Sequence, residues 1–480
     1  MKKLLYIYLI AGVLLIVSCS KSVMDEVNRD RNDAPNVQAI NELPNVEVET
    51  AFGTTGTDLA WYASVYIEHN AGTFGQLKDA DKRTGASASS LFNNSWNSVY
   101  DNLMVLNDII VKCSPEGPEP NNRVTLGIAQ LLTAYNLAVT TDVFGQVPWT
   151  DALKGTAVMQ PKFDKQQDIY ETVLFNLLNS AISNLAAPVP TDIKSQLATQ
   201  DLIYGGDTKL WTKAAWSLKA RYFMHLQKIT ATAVDSVLAC IPLGFTSGAD
   251  ALLFTKYDAS GSSTLNANPW YQFLYDRGYL SVGKTLYDIM LAHNDPRIST
   301  YFYDYDANGV KPAPNGTAED SQQGSLYSIS ALSDNPGAPT PMMTYHELLF
   351  LKAEAMARKG QDFTSTLKDA VVANFEYHGV DGGADYFDAE VAPKLNTPAN
   401  ALTELLTQKY IAFYEAESIE TYNDYRRTGV PQLNNPQNVN PNYGFVVRYA
   451  YPTSEVANNG KNVPQVSVFK NKVWWAGGTE

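Results

Sequence analysis

The chain has 480 residues, room for one large domain or several smaller ones, and its 45% hydrophobic content excludes wholesale disorder. Only 18% of residues are charged while 11% are aromatic, over half of them tyrosine, which describes a surface suited to uncharged hydrogen bonding and stacking. A formal charge of −14 repels a phosphate backbone, so nucleic acid is excluded as a natural partner.

Residues 1–18 read as a signal peptide. Lys2 and Lys3 precede the apolar run Leu4 to Val17, which is shorter than the roughly 20 helical residues a bilayer requires. The run ends in Ile16-Val17-Ser18-Cys19, which resembles a bacterial lipobox, with Ile16 standing where leucine is usual. That resemblance makes Cys19 the lipidated N-terminus of the mature chain. No other apolar run approaches membrane length, so the expected attachment to a membrane is by lipid alone. Cys113 and Cys240 are the remaining cysteines, too few for a disulfide framework, and are expected as buried thiols.

Residues 19–50 are polar, with prolines at 35 and 44, and are expected to form a lipidated flexible tether; a single domain is expected over residues 51–480. Helical periodicity then takes over. Leu91, Trp96, Val99, Tyr100, Leu103, Leu106, Ile109 and Ile110 predict one long helix over 90–112. Val124, Ile128, Leu131, Tyr135 and Val139 predict a second over 122–142. The Pro- and Gly-rich stretch Ser114 to Asn122 joins them into a helical hairpin of tetratricopeptide-like size. Further helices are predicted at 166–186, 207–230 with Asp207 as cap, 344–359 and 401–416. Between Gly244 and Pro341 the period fades, although Trp270, Tyr271, Tyr275, Tyr301, Tyr303 and Tyr305 argue for order there.

Three motifs invite chemistry. Gly278 to Thr285 fits the phosphate-loop formula G-x-x-x-x-G-K-[ST], but no buried strand pattern precedes it and Tyr279, Leu280 and Val282 crowd its interior. It reads instead as a helix start with Ser281 as cap. The histidines at 69, 225, 293, 346 and 378 lack the local spacing of a zinc site. Asp304, Asp306 and Asn308 copy the first half of a calcium loop, but Asn315 stands where the bidentate acid belongs. An Asx-type turn is the favoured reading, with structural calcium as the one cofactor option. No nucleophile elbow occurs, and carboxylates alone do not single out a hydrolase pair.

Several segments in order resemble the SusD/RagB family of outer-membrane nutrient-binding lipoproteins, most closely its second SusD-like subgroup. They are Trp96 with Tyr100 and Asn107, the turn Phe144-Gly145-Gln146-Val147-Pro148-Trp149, and Asn294-Asp295-Pro296-Arg297. After these come Met343 to Glu347 running into Leu351-Lys352-Ala353-Glu354-Ala355, Gln408 to Ala412, Tyr425-Arg426-Arg427-Thr428-Gly429-Val430-Pro431, and Arg448-Tyr449-Ala450-Tyr451-Pro452. Gln146, in place of an acid or Asn, and the acidic run Glu415 to Glu420 depart from the pattern. The resemblance implies a mainly α fold, with tetratricopeptide-like hairpins supporting an irregular, loop-rich face with little β structure. It implies a non-catalytic cell-surface lipoprotein of the outer membrane that binds glycan, or in some members peptide, as partner of a SusC-like TonB-dependent transporter. Glu354, Arg426 and Arg427 are expected as buried scaffold pairs.

The resemblance carries no shared ligand motif, so site residues are argued from chemistry. Sugars need flat aromatic platforms beside amides and carboxylates. Trp270, Tyr271, Tyr303 and Tyr305 lie in the segment without helical period, with Tyr301 expected to be packed. Phe74, Lys78, Asp79 and Arg83, in an expected loop over 70–90, form a second candidate group. A peptide or glycopeptide binder of the same architecture is the alternative, and a helical glycoside hydrolase a more distant one.

Overall fold

The computed structural model describes residues 37–87, 89–261, 264–304, 308–434 and 443–479. Cys19 and the first part of the expected tether lie outside the described residues. Among the described residues the architecture is mainly α, and the strands form three two-stranded antiparallel sheets.

Helix pairing follows the apolar stripes. Asn93–Cys113 packs its buried face, Trp96, Val99, Leu103, Leu106 and Ile109, against Arg123–Phe144. Arg123–Phe144 is in turn covered by Phe175–Leu185, so it is sandwiched and buried all round. By length and composition this helix could cross a membrane, but 94% of its most apolar window is buried inside the protein. The succession continues through Thr208–His225, Ala233–Cys240, Tyr345–Arg358, Thr364–Tyr377 and Pro398–Ala412, each packed on a neighbour in turn. Asp207 caps Thr208–His225 as expected, accepting from the backbone N–H groups of Lys209 and Leu210. Cys113 and Cys240 are buried free thiols, and burial pushes them up to about 12 and about 11.

The tether reading fails for its last residues. Ala39, Leu43 and Val46 lie four and three residues apart, the spacing of a helical stripe, and all three are fully buried beneath Leu43–Glu49 and the preceding 3₁₀ turn. Pro44 sits in the first helical turn, where its missing N–H costs nothing, so it starts this helix rather than breaking it. Lys112 ion-pairs with Glu42, and Glu47 accepts from the backbone of Leu202 at 2.6 Å. The folded domain therefore includes residues 39–50.

Buried ion pairs tie the scaffold together. Arg427 forks onto both oxygens of Glu354, and Arg221 onto both of Glu347. Arg426 departs from the expected pairing: it donates to Asn423 and the Val447 carbonyl and lies over the rings of Tyr422 and Trp475.

The segment 244–341 is more regular than its periodicity suggests. Helices Pro269–Asp276 and Lys284–Ala292 occupy it, and Leu280–Val282 pairs with Asn70–Gly72. Ser281 is thus a strand residue, and the cap of Lys284–Ala292 is Gly283. The expected loop over 70–90 likewise contains the helix Gly75–Asp81.

Candidate functional site

Asn268 and Pro269 start the helix that carries the aromatic face. The Asn268 side chain accepts from the N–H groups of Trp270 and Tyr271 at 2.8 and 3.2 Å, and Pro269 takes the first helical position. Helical spacing then sorts the rings. Trp270 and Leu274 turn inward and are buried, and Phe273 stacks on Trp61 with centroids 4.0 Å apart. Tyr271 and Tyr275, one turn apart on the outer side, stack on each other at 5.7 Å and 18°. Tyr275 is 57% exposed.

Opposite Tyr275 stands Tyr303, half-buried and held by its N–H to the Ile329 carbonyl at 2.8 Å. The 3₁₀ turn Ala331–Asp334, capped by Ser330, brings Ser333 and Asp334 alongside. Gln323 closes the remaining side. Its amide donates to the Tyr275 carbonyl at 2.7 Å, and its own N–H donates to the Gly278 carbonyl at 3.0 Å. Tyr275, Tyr303, Gln323, Ser333, Asp334, Leu274 and Ile329 line a groove of about 470 Å³. Two tyrosines, an amide, a hydroxyl and a carboxylate converge there, which suits a ligand with apolar faces and many hydroxyls.

A second cavity, of about 240 Å³, lies on the other side of the same turn, lined among others by Trp270, Tyr301, Leu332, Asn335, His378, Tyr414 and Glu415. Tyr301 and Tyr414 stack at 5.2 Å, and His378 meets Tyr301 edge-on at 4.7 Å. Burial pulls His378 down to about 3, so its ring is neutral. Burial pushes Glu415 up to about 7, against the hydrogen bond it accepts from Ser330.

The expected site residues separate. Trp270 is 3% exposed and packs edge-on against Trp61, so it is core and not a platform. Arg83 is 1% exposed; it donates to the Tyr66 carbonyl and lies over the rings of Tyr66 and Phe445. Trp270 is turned inward by the helix Pro269–Asp276, and Arg83 by the left-handed turn, at φ 64, that follows the helix Gly75–Asp81. Tyr303, half-buried, lines the groove, and Tyr271, also half-buried, stacks on Tyr275 outside the lining, whereas Tyr305 lies outside the described residues. Phe74 tilts against Tyr279 and Lys78 ion-pairs with Asp320, beside the segment that carries Gln323 but not in the groove lining. Asp79 is exposed, also away from the lining. Tyr275, Gln323, Ser333 and Asp334 were not singled out. The Asn268-Pro269 helix start, with residues 270 and 274 facing in and 271 and 275 facing out, is the signal that finds Tyr275; nothing in the local sequence marks Gln323.

The other motifs resolve into structure. In the phosphate-loop match, a Cβ on Gly278 would lie 2.4 Å from the Gln323 backbone N, and one on Gly283 would lie 2.4 Å from the Glu68 carbonyl oxygen. Both glycines are there for close backbone approach. Lys284 pairs with Asp288 at 2.8 Å, and Thr285 donates to Glu68. Of the calcium-like residues, Asp304 accepts from the N–H of Gly309 at 2.9 Å, Asn308 is exposed, and Asp306 is outside the described residues. Asn315, at the twelfth position, is engaged with Thr285 and Asn70.

Histidine spacing could not reveal the one grouping of metal-binding type seen among the described residues, Asp142, His225 and Glu420, because three helices supply it. Its atoms are already engaged. Tyr170 donates to Asp142 at 2.5 Å and meets His225 Nδ1 at 2.8 Å, and His225 Nε2 lies 2.9 Å from Glu420. Burial pushes Asp142 up to about 6; burial would also raise Glu420, but Arg221 and His225 bring it down to about 2. This is a closed buried network.

Comparison with known proteins shows the family and the fold. Among curated proteins none matches this chain. A SusD/RagB family protein of Bacteroides thetaiotaomicron of known structure is 35% identical, covers 93% of this chain and 100% of its own, and superposes with a TM-score of 0.82. A chitin-binding SusD homologue from Flavobacterium johnsoniae shares the fold at 20% identity, with a TM-score of 0.71 over 91% of this chain and 97% of its own. Another structure, described as a chitin-binding protein, is 22% identical with a TM-score of 0.72 over 90% of this chain and 100% of its own. The second SusD-like family model, described as "Starch-binding associating with outer membrane", matches residues 66–452. The match takes in the helical scaffold and the aromatic groove together, and the chain belongs to this SusD-like family.

Proposed function

We propose that the protein is a non-catalytic binder of oligosaccharide, held at the outer-membrane surface through a lipid on Cys19, which passes its ligand to a SusC-like TonB-dependent transporter. The observation that carries the binding reading is the groove between Tyr275 and Tyr303. The exposed Tyr275 ring, backed by its stacking on Tyr271, and Tyr303 lie beside an amide, a hydroxyl and a carboxylate, which supplies both things a sugar requires, a flat apolar platform and directional hydrogen bonds. The family description and the chitin-binding structural neighbours support the same ligand class. The signal peptide and lipobox support the location.

The test is titration of the mature protein against a panel of neutral and N-acetylated oligosaccharides and unrelated peptides. Tyr275→Ala should lower affinity for the bound glycan at least tenfold while leaving the melting temperature nearly unchanged, because the ring is mostly exposed. Binding of peptides in place of glycans would replace the reading with the peptide alternative. Release of new reducing ends during incubation would replace it with a hydrolase. Loss of palmitate labelling in Cys19→Ala is expected for the anchor.

A further inference from the structure

The cavity behind the Ala331–Asp334 turn has a chemistry of its own. Glu415 lines it and is 6% exposed. Three other buried glutamates of the scaffold face a basic group, Glu347 meeting Arg221, Glu354 meeting Arg427 and Glu420 meeting His225, whereas Glu47, like Glu415, is held by a neutral donor, the backbone N–H of Leu202. Among the described residues no lysine, arginine or histidine pairs with Glu415. Its hydrogen bonds come from neutral donors, the Ser330 hydroxyl, the Asn70 amide at 3.4 Å and the Tyr414 hydroxyl. The base nearest in kind on the cavity wall, His378, is neutral. A buried carboxylate without a counter-charge is unfavourable, and its backbone, at φ 56, adopts the left-handed conformation that residues with a Cβ avoid. Both features fall at one point on the wall of a cavity.

The remaining wall is aromatic. Trp270, Tyr301, Tyr377 and Tyr414 contribute to it, and rings with electron-rich faces beside a carboxylate form the combination that favours a cation. At about 240 Å³ the cavity is smaller than the roughly 300 Å³ at which sites for drug-sized ligands begin, so it suits one ring and not a chain. It shares the turn with the groove: Ala331 and Leu332 face the cavity, Ser333 and Asp334 the groove.

We propose that this cavity is a subsite for one amino-sugar residue carrying a free ammonium group, with Glu415 supplying the counter-charge. The assignment of a saccharide rests on the oligosaccharide reading of the adjacent groove; the assignment of a cation rests on Glu415 and its aromatic surroundings.

Calorimetric titration near neutral pH, with a glucosamine oligomer, the same oligomer fully N-acetylated and a lysine-containing peptide, tests it. The wild type should prefer the free-amine oligomer roughly tenfold over the acetylated one, as a charge-assisted contact requires. Glu415→Gln, which keeps the size of the side chain and a partner for Ser330, should reduce that preference to within about twofold without weakening the acetylated oligomer. Asn335→Trp, at an exposed position on the cavity lining, should remove the preference in the same way with no change in the core. A wild type without preference, or a Glu415→Gln protein that keeps it and melts like wild type, overturns the proposal. Tighter binding of the lysine peptide than of the amino-sugar oligomer also overturns it. Tyr275→Ala separates the two readings: it should weaken both oligomers equally, and if it weakens neither, the groove reading fails while the Glu415 comparison still decides the cavity.

Discussion

Trp475 and Asp142, 333 residues apart in the chain, meet through one hydrogen bond, the indole Nε1–H donating to Asp142 Oδ1 at 2.8 Å. Trp475 also stacks on His225 at 5.2 Å and lies under the guanidinium of Arg426. The C-terminal turn thereby closes the buried Asp142–His225–Glu420 network. Trp475→Phe keeps most of the ring and removes the donor, leaving an ionisable buried oxygen short of a partner. It should cost about 1.5–3 kcal/mol, the range for a hydrogen bond to a charged group, and chemical denaturation should show an unchanged m-value. An unaffected midpoint would mean that the C-terminal turn is not part of the cooperative fold.

Trp270→Ala should destabilise the protein by about 3–5 kcal/mol, as expected for emptying a buried tryptophan site. The residue is 3% exposed and wedged against Trp61, and it anchors the helix on which Tyr271 and Tyr275 stand. Ligand affinity should fall as well, through loss of the platform's support. A stable Trp270→Ala protein with unaltered binding would show that the helix holds its place without this anchor.

The long helices were legible because their apolar stripes run for several turns, as in Asn93–Cys113, where Trp96, Val99, Leu103 and Leu106 repeat without interruption. Short elements were not. Pro269–Asp276 completes barely two turns, so its inward pair Trp270 and Leu274 and outward pair Tyr271 and Tyr275 are too few to establish a period. Leu43–Glu49 was hidden by the same shortness and by a proline that marks a start as well as a break. Within the groove, aromatic residue types pointed to the right segment, yet Gln323, Ser333 and Asp334 reach it only through turns. Which loops meet is decided by long-range pairings such as Phe302 with Ser330, and local composition carries no record of those.

Gly278→Ala should impair binding more than folding. Gly278 has φ +55, and a Cβ there would lie 2.4 Å from the backbone N and 2.6 Å from the Cα of Gln323. Backbone cannot swing aside as a long side chain can, so the 321–326 segment must move and the groove loses the wall that Gln323 forms. The strain of the left-handed conformation adds about 1 kcal/mol. Glycan affinity should fall several-fold alongside a modest drop in melting temperature. Wild-type affinity in Gly278→Ala would remove Gln323 from the site.

Asp81 should make stability fall as pH rises. Its carboxyl is buried and accepts from the Gly316 N–H at 2.6 Å; burial, the largest influence, pushes it up to about 7. In the unfolded chain the same group titrates near 3.9. Between those values the folded protein holds a proton that the unfolded chain has released, so each step upward in pH favours unfolding. The penalty begins near pH 4, is complete above about pH 7, and amounts to something on the order of 4 kcal/mol. Asp81→Asn preserves an acceptor for Gly316 and abolishes the titration. Its stability relative to wild type should therefore be smallest near pH 4 and should grow steadily up to pH 7, then level off. Other buried groups that titrate in this range, including His69 and His378 with the opposite sign, contribute equally to both proteins and cancel in the difference. Denaturant titrations of the pair across this range measure that difference directly, and a flat difference would place the Asp81 carboxyl at its ordinary value in the folded protein.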